Sequence, residues 1–319
     1  MMSQWKDFLP DSDYKITKGE LSTQIWFDIV NGSLTAIQSH VDGHDFVWTE
    51  TGRSQKQSSE LLQANIAWKT TRKGWQLSAD HVNLKFDGVT WPENALIVRY
   101  RADNQAYQVM IKELLIKPLL ALEIPWPEKM KRILEMKPKG RLYDTQLRIV
   151  NHQIEYLLTK FKRLSWHAYQ DIPEVNPISG VLYWQPDEGR LELDGENTTI
   201  KPSHLPPLTF GLFNANIEWK TLTNGVRISM DRFILSHPTL VLSASGVLDT
   251  STSDDGGRLR LTAEFAAKDA RHLMAYIPGE HLKPKLNDWL KQNVKRVAHA
   301  SGHISIDGPL HRFPFDDQS

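Results

Sequence analysis

The chain has 319 residues, 40% of them hydrophobic and 24% charged, a balance that suits a folded protein with a sizeable core rather than a disordered one. Its 38 basic and 38 acidic residues cancel to a formal net charge of zero, so the chain lacks the global positive field that duplex nucleic acid selects, and nucleic acid is not an expected partner. The absence of cysteine removes disulfides and thiolate-bound metal, and it fits either a reducing cytoplasm or a cysteine-free envelope protein.

No window reaches the 18 or so uninterrupted apolar residues of a spanning helix, and Met1 to Trp5 does not read as the start of a signal peptide. The segment is expected to be soluble or peripheral, and to be part of a longer protein. From Gly19 to Trp48 apolar residues recur with period 2, broken at Asn31-Gly32 and Asp42-Gly43, dipeptides that tolerate positive φ and predict hairpin turns. The meander continues through Ala64 to Trp68, Trp75 to Phe86 and Leu96 to Tyr100. Trp126 to Met136 changes period: Met130, Ile133 and Leu134 share one side at helical spacing, between Pro127 and the Pro138, Gly140 pair. Strands resume at Leu142 to Ile149, Leu182 to Trp184, Leu191 to Leu193, Val226 to Leu235, Leu240 to Leu248 and Leu259 to Phe265. A second helical stretch is predicted from Asp269, with Leu282, Leu286, Trp289, Leu290 and Val294 forming an apolar stripe.

An internal repeat is superimposed on this pattern. QANIAWKTTRKGWQLSADHVNL, from Gln63, aligns without a gap on NANIEWKTLTNGVRISMDRFIL, from Asn214, with 10 identities in 22 positions at an offset of 151. Pro125 and Pro278, then Gly140 and Gly302, follow at similar distances. A unit of strands followed by an amphipathic helical insert has therefore occurred twice, with approximate repeat units 1–150 and 151–319, and such repetition predicts stacking into an elongated body. The fold class expected is mainly β, an antiparallel sheet with short amphipathic helical inserts.

Candidate chemistry is sparse. His40, Asp42 and His44 alternate and would share a face on a strand, but the turn predicted at Asp42-Gly43 makes them solvated turn residues instead of metal ligands. His299 and His303 straddle Gly302, which is expected to end any helix before ligand spacing applies. No G-x-S-x-G elbow, G-x-x-x-x-G-K-[ST] loop or H-E-x-x-H helix is present, and Asp254-Asp255-Gly256-Gly257 reads as a hairpin connection. Neither a catalytic residue, a metal nor a cofactor is expected.

The strand faces are more informative. Ile66 and Trp68 share a face, as do Trp75, Leu77 and Ala79, and as do Val226, Ile228 and Met230, while Asn65, Gln76, Ser78, Arg227 and Ser229 fall on the opposite side. The sheet thus has one apolar and one wet side. A closed sandwich or barrel would use the apolar side as core, whereas an open curved sheet would hold a trough able to take lipid chains, and periodicity does not choose between them. Basic residues around the helical stripes suit either a helix that plugs the sheet or one that lies on an anionic bilayer.

Several stretches resemble the YhdP family of large AsmA-like envelope proteins, through its DUF3971-type region. They are SQWKDFLP with GELSTQIWF, LLIKPLLALEIPWPEKMKRILEMKPKGRLYDTQLRI, FKRLSWHAYQDIPEVNPISGVLYW, YIPGEHLKPKLNDWLKQNV and SGHISIDGPLHRFPF, in that order over nearly the whole chain. The resemblance implies a curved, repeating β-groove akin to that of TamB and AsmA proteins. It also implies a periplasmic body, associated with the inner membrane through a segment that this chain does not contain. The function implied is non-enzymatic phospholipid transport toward the outer membrane, in support of its permeability barrier. The partners implied are phospholipid acyl chains and the remainder of a longer envelope protein or the adjacent membranes. On that reading the groove-lining positions are Ile66, Trp68, Leu77, Val226, Ile228 and Met230, then Leu191, Leu193, Leu259 and Leu261. A structural or chaperone-like β-scaffold in the envelope is the alternative.

Overall fold

β-Branched and aromatic residues alternating with polar ones favour extended backbone, because a pleated strand sends successive side chains to opposite faces. In the computed structural model this pattern yields sixteen strands and little helix among the described residues, which are 14–50, 56–86, 88–121, 133–170, 172–202, 207–251, 257–268 and 299–309. The chain divides into two units, 1–114 with 144–153, and 115–143 with 154–319.

The first unit is an antiparallel meander. Strands β1 (Tyr14–Val30), β2 (Ser33–Glu50), β3 (Lys56–Thr71), β4 (Gly74–Phe86), β6 (Asn94–Arg101) and β7 (Ala106–Leu115) pair in that order, and the two-residue β5 (Val89–Thr90) pairs with β4. Asn31 and Gly32 close the first hairpin with φ of 51° and 78°, the positive values that a tight hairpin turn demands. Ala64, Phe86, Trp91 and Ala106 are buried, and Trp48 stacks obliquely on Phe86 with ring centroids 5.7 Å apart.

Helix α1 (Ile116–Ala121) and β8 (Lys139–Val150) follow. Pro118 is tolerated in α1 because a first-turn N–H has no intrahelical acceptor to lose. The second unit continues as β9 (Gln153–Trp166), β10 (Glu174–Trp184), β11 (Glu188–Lys201), β12 (Leu208–Leu222), β13 (Gly225–His237), β14 (Leu240–Asp249), β15 (Arg258–Lys268) and β16 (His299–Pro309), and from β10 onward each is antiparallel to the one before. Its core is Phe161, Val175, Ile178, Phe210, Phe213, Ala215 and Leu235, with Leu142, Trp166 and Phe233 among those packed against it.

The repeat is kept in register as well as in sequence. Trp68 pairs with Leu77 and Ile66 with Ala79 across β3–β4, and the residues 151 further on, Trp219 with Ile228 and Ile217 with Met230, pair identically across β12–β13. The next interface repeats too, with a register shift between Ala79 and Val82 in β4 and between Met230 and Phe233 in β13. Each hairpin turns through two residues, 72–73 and 223–224, so the glycine that follows is the first strand residue and not part of the turn. A Cβ on Gly74 would meet the Tyr100 carbonyl oxygen at 2.0 Å, and one on Gly225 would meet Thr250 Oγ1 at 2.7 Å. These glycines therefore admit a third strand, β6 or the end of β14.

Two expectations fail here. Asp42-Gly43 is not a turn: β2 runs straight through it, pairing Asp42 with Ser22 and Gln63 and Gly43 with Leu21 and Leu62. Two neighbouring strands supply ladder partners on both sides, and the Phe46 ring occupies the space above Gly43, 2.4 Å from where a Cβ would stand. Gly302 likewise lies within β16 and ends no helix. In the predicted helix at Trp126 to Met136, residues 133–135 are helical and 126–132 lie outside the described residues. The stripe from Leu282 to Val294 and the connection at Asp254 to Gly256 also lie outside them.

Candidate functional site: the apolar strand faces

Residues paired across an antiparallel ladder share a face, so register converts strand sequence into rows that cross the sheet. In the second unit one row runs Trp184, Gly189, Trp219, Ile228, Leu248 and Leu259, from β10 to β15. The next runs Leu182, Leu191, Ile217, Met230, Gly246, Leu261 and Ile306, and a third Gly180, Leu193, Ala215, Phe233, Ala244, Ala263 and Ile304. Leu191, Leu193, Ile228, Met230, Leu259 and Leu261 thus lie on one face in three adjacent rows. Val226, two residues before Ile228, faces the same way.

The first unit has equivalent rows. Phe27, Ile37, Trp68, Leu77, Val98 and Val109 form one, and Ile25, Ser39, Ile66, Ala79, Leu96 and Ile111 its neighbour. Ile66, Trp68 and Leu77 therefore share a face within that unit. Beyond Leu77 the apolar surface ends on three rings, Trp75, Tyr100 and Tyr107, with the two tyrosine centroids 4.8 Å apart.

Exposure separates two zones of the face in the second unit. Phe161, Phe213, Ala215 and Leu235 are buried in the core cluster. The candidate positions are not: Ile228 is 38% exposed, and Leu191, Leu193, Val226, Met230, Leu259 and Leu261 are half-buried. Ile66, Trp68 and Leu77 in the first unit are half-buried too. A sealed core would leave none of these in contact with solvent. The relief of the face is set by rings laid over glycines: Trp219 covers Gly189, where a Cβ would stand 2.0 Å from Cζ2, and Phe161 covers Gly180 at 2.7 Å from Cζ. A hollow of about 540 Å³ across β13 to β16 is lined mostly by residues of the other face, among them Ser229, Ser245, Val247, Arg260, Thr262 and Asp307, with the row Met230, Gly246, Leu261 and Ile306 between them.

The opposite face is polar. Arg190, Glu218, Ser229, Val247, Arg260 and Asp307 form a single cross-strand row there, and Ser245 and Thr262 are hydrogen-bonded at 3.1 Å in the next. At the hairpin end Asp249 is buried. The Ser251 hydroxyl donates to it at 2.6 Å, and Arg227 donates through Nη2 and Nε at 2.7 and 2.9 Å. These hydrogen bonds, Ser251 first, lower its pKa to about 2. In the first unit Arg101 and then Lys73 hold Asp103 well below the ordinary carboxylate range. These are rim fastenings that tie strand ends together.

His40, Asp42 and His44 do share a strand face, but each is committed locally. His44 Nε2 lies 3.0 Å from Asp42 Oδ1, His40 Nδ1 lies 2.9 Å from Asn65 Oδ1, and Gln63 donates to Asp42. Among the described residues no group of three or more His, Asp and Glu is placed to hold a metal ion. Sequence reasoning missed Leu182, Ile217, Phe233, Leu248 and Ile306 as members of the apolar rows. The signal lay in the repeat: once Trp68 is equated with Trp219, alternation from Trp219 reaches Ile217.

An antiparallel β-sheet protein whose two units each carry a partly open apolar face, with no catalytic constellation among its described residues, is thus defined. The chain belongs to the YhdP protein family, whose description matches residues 1–319. It is 23% identical over 319 residues to the intermembrane phospholipid transporter YhdP of Escherichia coli (strain K12), an alignment that covers 90% of this chain. The chain spans 24% of that relative's length. No solved structure matches it.

Proposed function

We propose that the apolar strand faces carry phospholipid acyl chains, as one segment of a non-enzymatic path for phospholipid between the inner and outer membranes, with this body in the periplasm. The observation that carries the reading is the row structure: apolar side chains continue across consecutive strands and stay half-exposed, while the other face carries charge and hydroxyls. A methylene removed from water gains roughly 0.8 kcal/mol, so a few carbons of one chain laid on such a row supply a useful driving force while the headgroup stays hydrated. Membership of the YhdP family and the printed function of the E. coli relative support the same reading. Inner-membrane association through a segment outside this chain belongs to the proposal as well.

The test is a photocrosslinking residue at position 228, with position 229 on the polar face as control, expressed in cells. Lipid adducts at 228 and none at 229 are the expected result. Equal adducts at both positions, or none at 228, would remove the acyl-chain role from this face.

A further inference from the structure

We infer that the hairpin end of the first unit's apolar face is a headgroup site for a glycerophospholipid, an assignment that rests on the acyl-chain reading of that face. Trp75, Tyr100 and Tyr107 form the last row of the face, paired across β4, β6 and β7. β4 and β7 are two strand spacings apart, roughly 9.5 Å, yet the Trp75 and Tyr107 ring centroids lie 6.4 Å from each other, so both rings lean over Tyr100. Tyr107 is 39% exposed and the other two are half-buried. Among the described residues the indole N–H and the two hydroxyls have no hydrogen-bond partner.

The hairpin itself does not require this chemistry. The second unit makes the same register with Thr221 and Val226 where the first has Thr70 and Trp75, and there Thr250, not a ring, donates its N–H to Val226. Charge differs in the same way. Stretches 69–76 and 99–107 carry Lys69, Arg72, Lys73, Arg99 and Arg101 against Asp103, whereas 220–227 and 250–258, 151 residues on, carry three basic residues against two acidic ones. Lys73 Nζ and Arg101 Nη2 share Asp103 at 2.9 and 2.8 Å, so one carboxylate answers two cations and positive charge is left over beside the exposed Arg72. Toward the turn, β4 thus passes from apolar at Leu77 through amphipathic at Trp75 to cationic at Lys73, just beyond its first residue, in steps of about 7 Å. A glycerophospholipid has the same order: hydrocarbon tail, ester oxygens that accept from N–H and O–H donors, and a phosphate that takes Lys and Arg. A bilayer would need apolar side chains on both faces of this end, but the other face carries Gln76, to which Arg99 donates at 3.1 Å.

The test places a photocrosslinking residue at Thr70, exposed in the ring row, or at Thr221, its exposed counterpart in the second unit. Purified protein is irradiated with lysophosphatidylglycerol or with a monoacylglycerol of equal chain length, each below its micellar concentration. Position 70 should take about fivefold more lysolipid than monoacylglycerol, the upper reach of one exposed charge pair, while position 221 takes the two alike. Arg72→Gln with Lys73→Gln, both in an exposed turn, should remove the preference at 70 and leave monoacylglycerol labelling unchanged. Equal labelling at 70, the same preference at 221, or a preference that survives the double substitution would overturn the headgroup site. So would displacement by glycerol 3-phosphate alone, which marks a site for a free phosphate ester, or labelling that needs vesicles, which marks a bilayer contact. Lipid adducts at 228 with no preference at 70 would remove this site alone, whereas no adducts at either position would remove the acyl-chain reading.

Discussion

Replacing Ile228 with Asp distinguishes an open apolar face from a core. Ile228 sits between Trp219 on β12 and Leu248 on β14, in the outer of the three rows, and keeps 38% of its surface in solvent. Full burial of an Ile side chain is worth about 1.5–3 kcal/mol, so a side chain a little under two-thirds buried loses roughly 1–2 kcal/mol when made polar. The carboxylate adds little to that cost because water reaches it; in a sealed core the same group would be stranded at several kcal/mol more. Urea unfolding of the second unit, followed by Trp219 fluorescence, should therefore show a cooperative transition with a loss of about 1–2 kcal/mol, while binding of a fluorescent fatty acid weakens. Loss of the folded state, or a penalty above about 4 kcal/mol, would refute the open-face reasoning. Unchanged fatty-acid binding in a folded variant would refute the assignment of this row to acyl chains.

Gly189→Ala should cost about 1–3 kcal/mol, since its Cβ would stand 2.0 Å from Trp219 Cζ2 and the ring has to move. In a Trp219→Leu background the same change should cost less, and a double-mutant cycle by chemical denaturation reads the coupling. Asp249 has its folded pKa lowered from 3.8 to about 2, so its ionised form favours the native state at pH values above the unfolded pKa, and that contribution is lost as pH falls through about 2. The stability difference between the native sequence and Asp249→Asn should accordingly be constant from neutral pH to about pH 5 and shrink below about pH 4. A difference unchanged down to pH 2 would mean that the carboxylate is not held by Ser251 and Arg227.

Strand identity was legible in the sequence because it depends on local alternation. Trp75 to Phe86 and Leu240 to Leu248 are strands in the structure as the pattern predicts, and the two copies of the repeat form hairpins of equal register. The common orientation of Val226, Ile228 and Met230 follows from the two-residue period alone. Tertiary structure decided what that period cannot express. Whether Asp42-Gly43 turns or continues depends on β1 and β3 lying alongside, and the same dipeptide chemistry that closes the hairpin at Asn31-Gly32 yields at Gly43 to a ladder on both sides. Likewise Phe213 and Ile228 both belong to apolar rows of one sheet, yet one is buried and the other is 38% exposed, because only packed neighbours distinguish a core from an open face. Hydropathy along a chain records which side chains avoid water; the three-dimensional packing alone records which of them succeed.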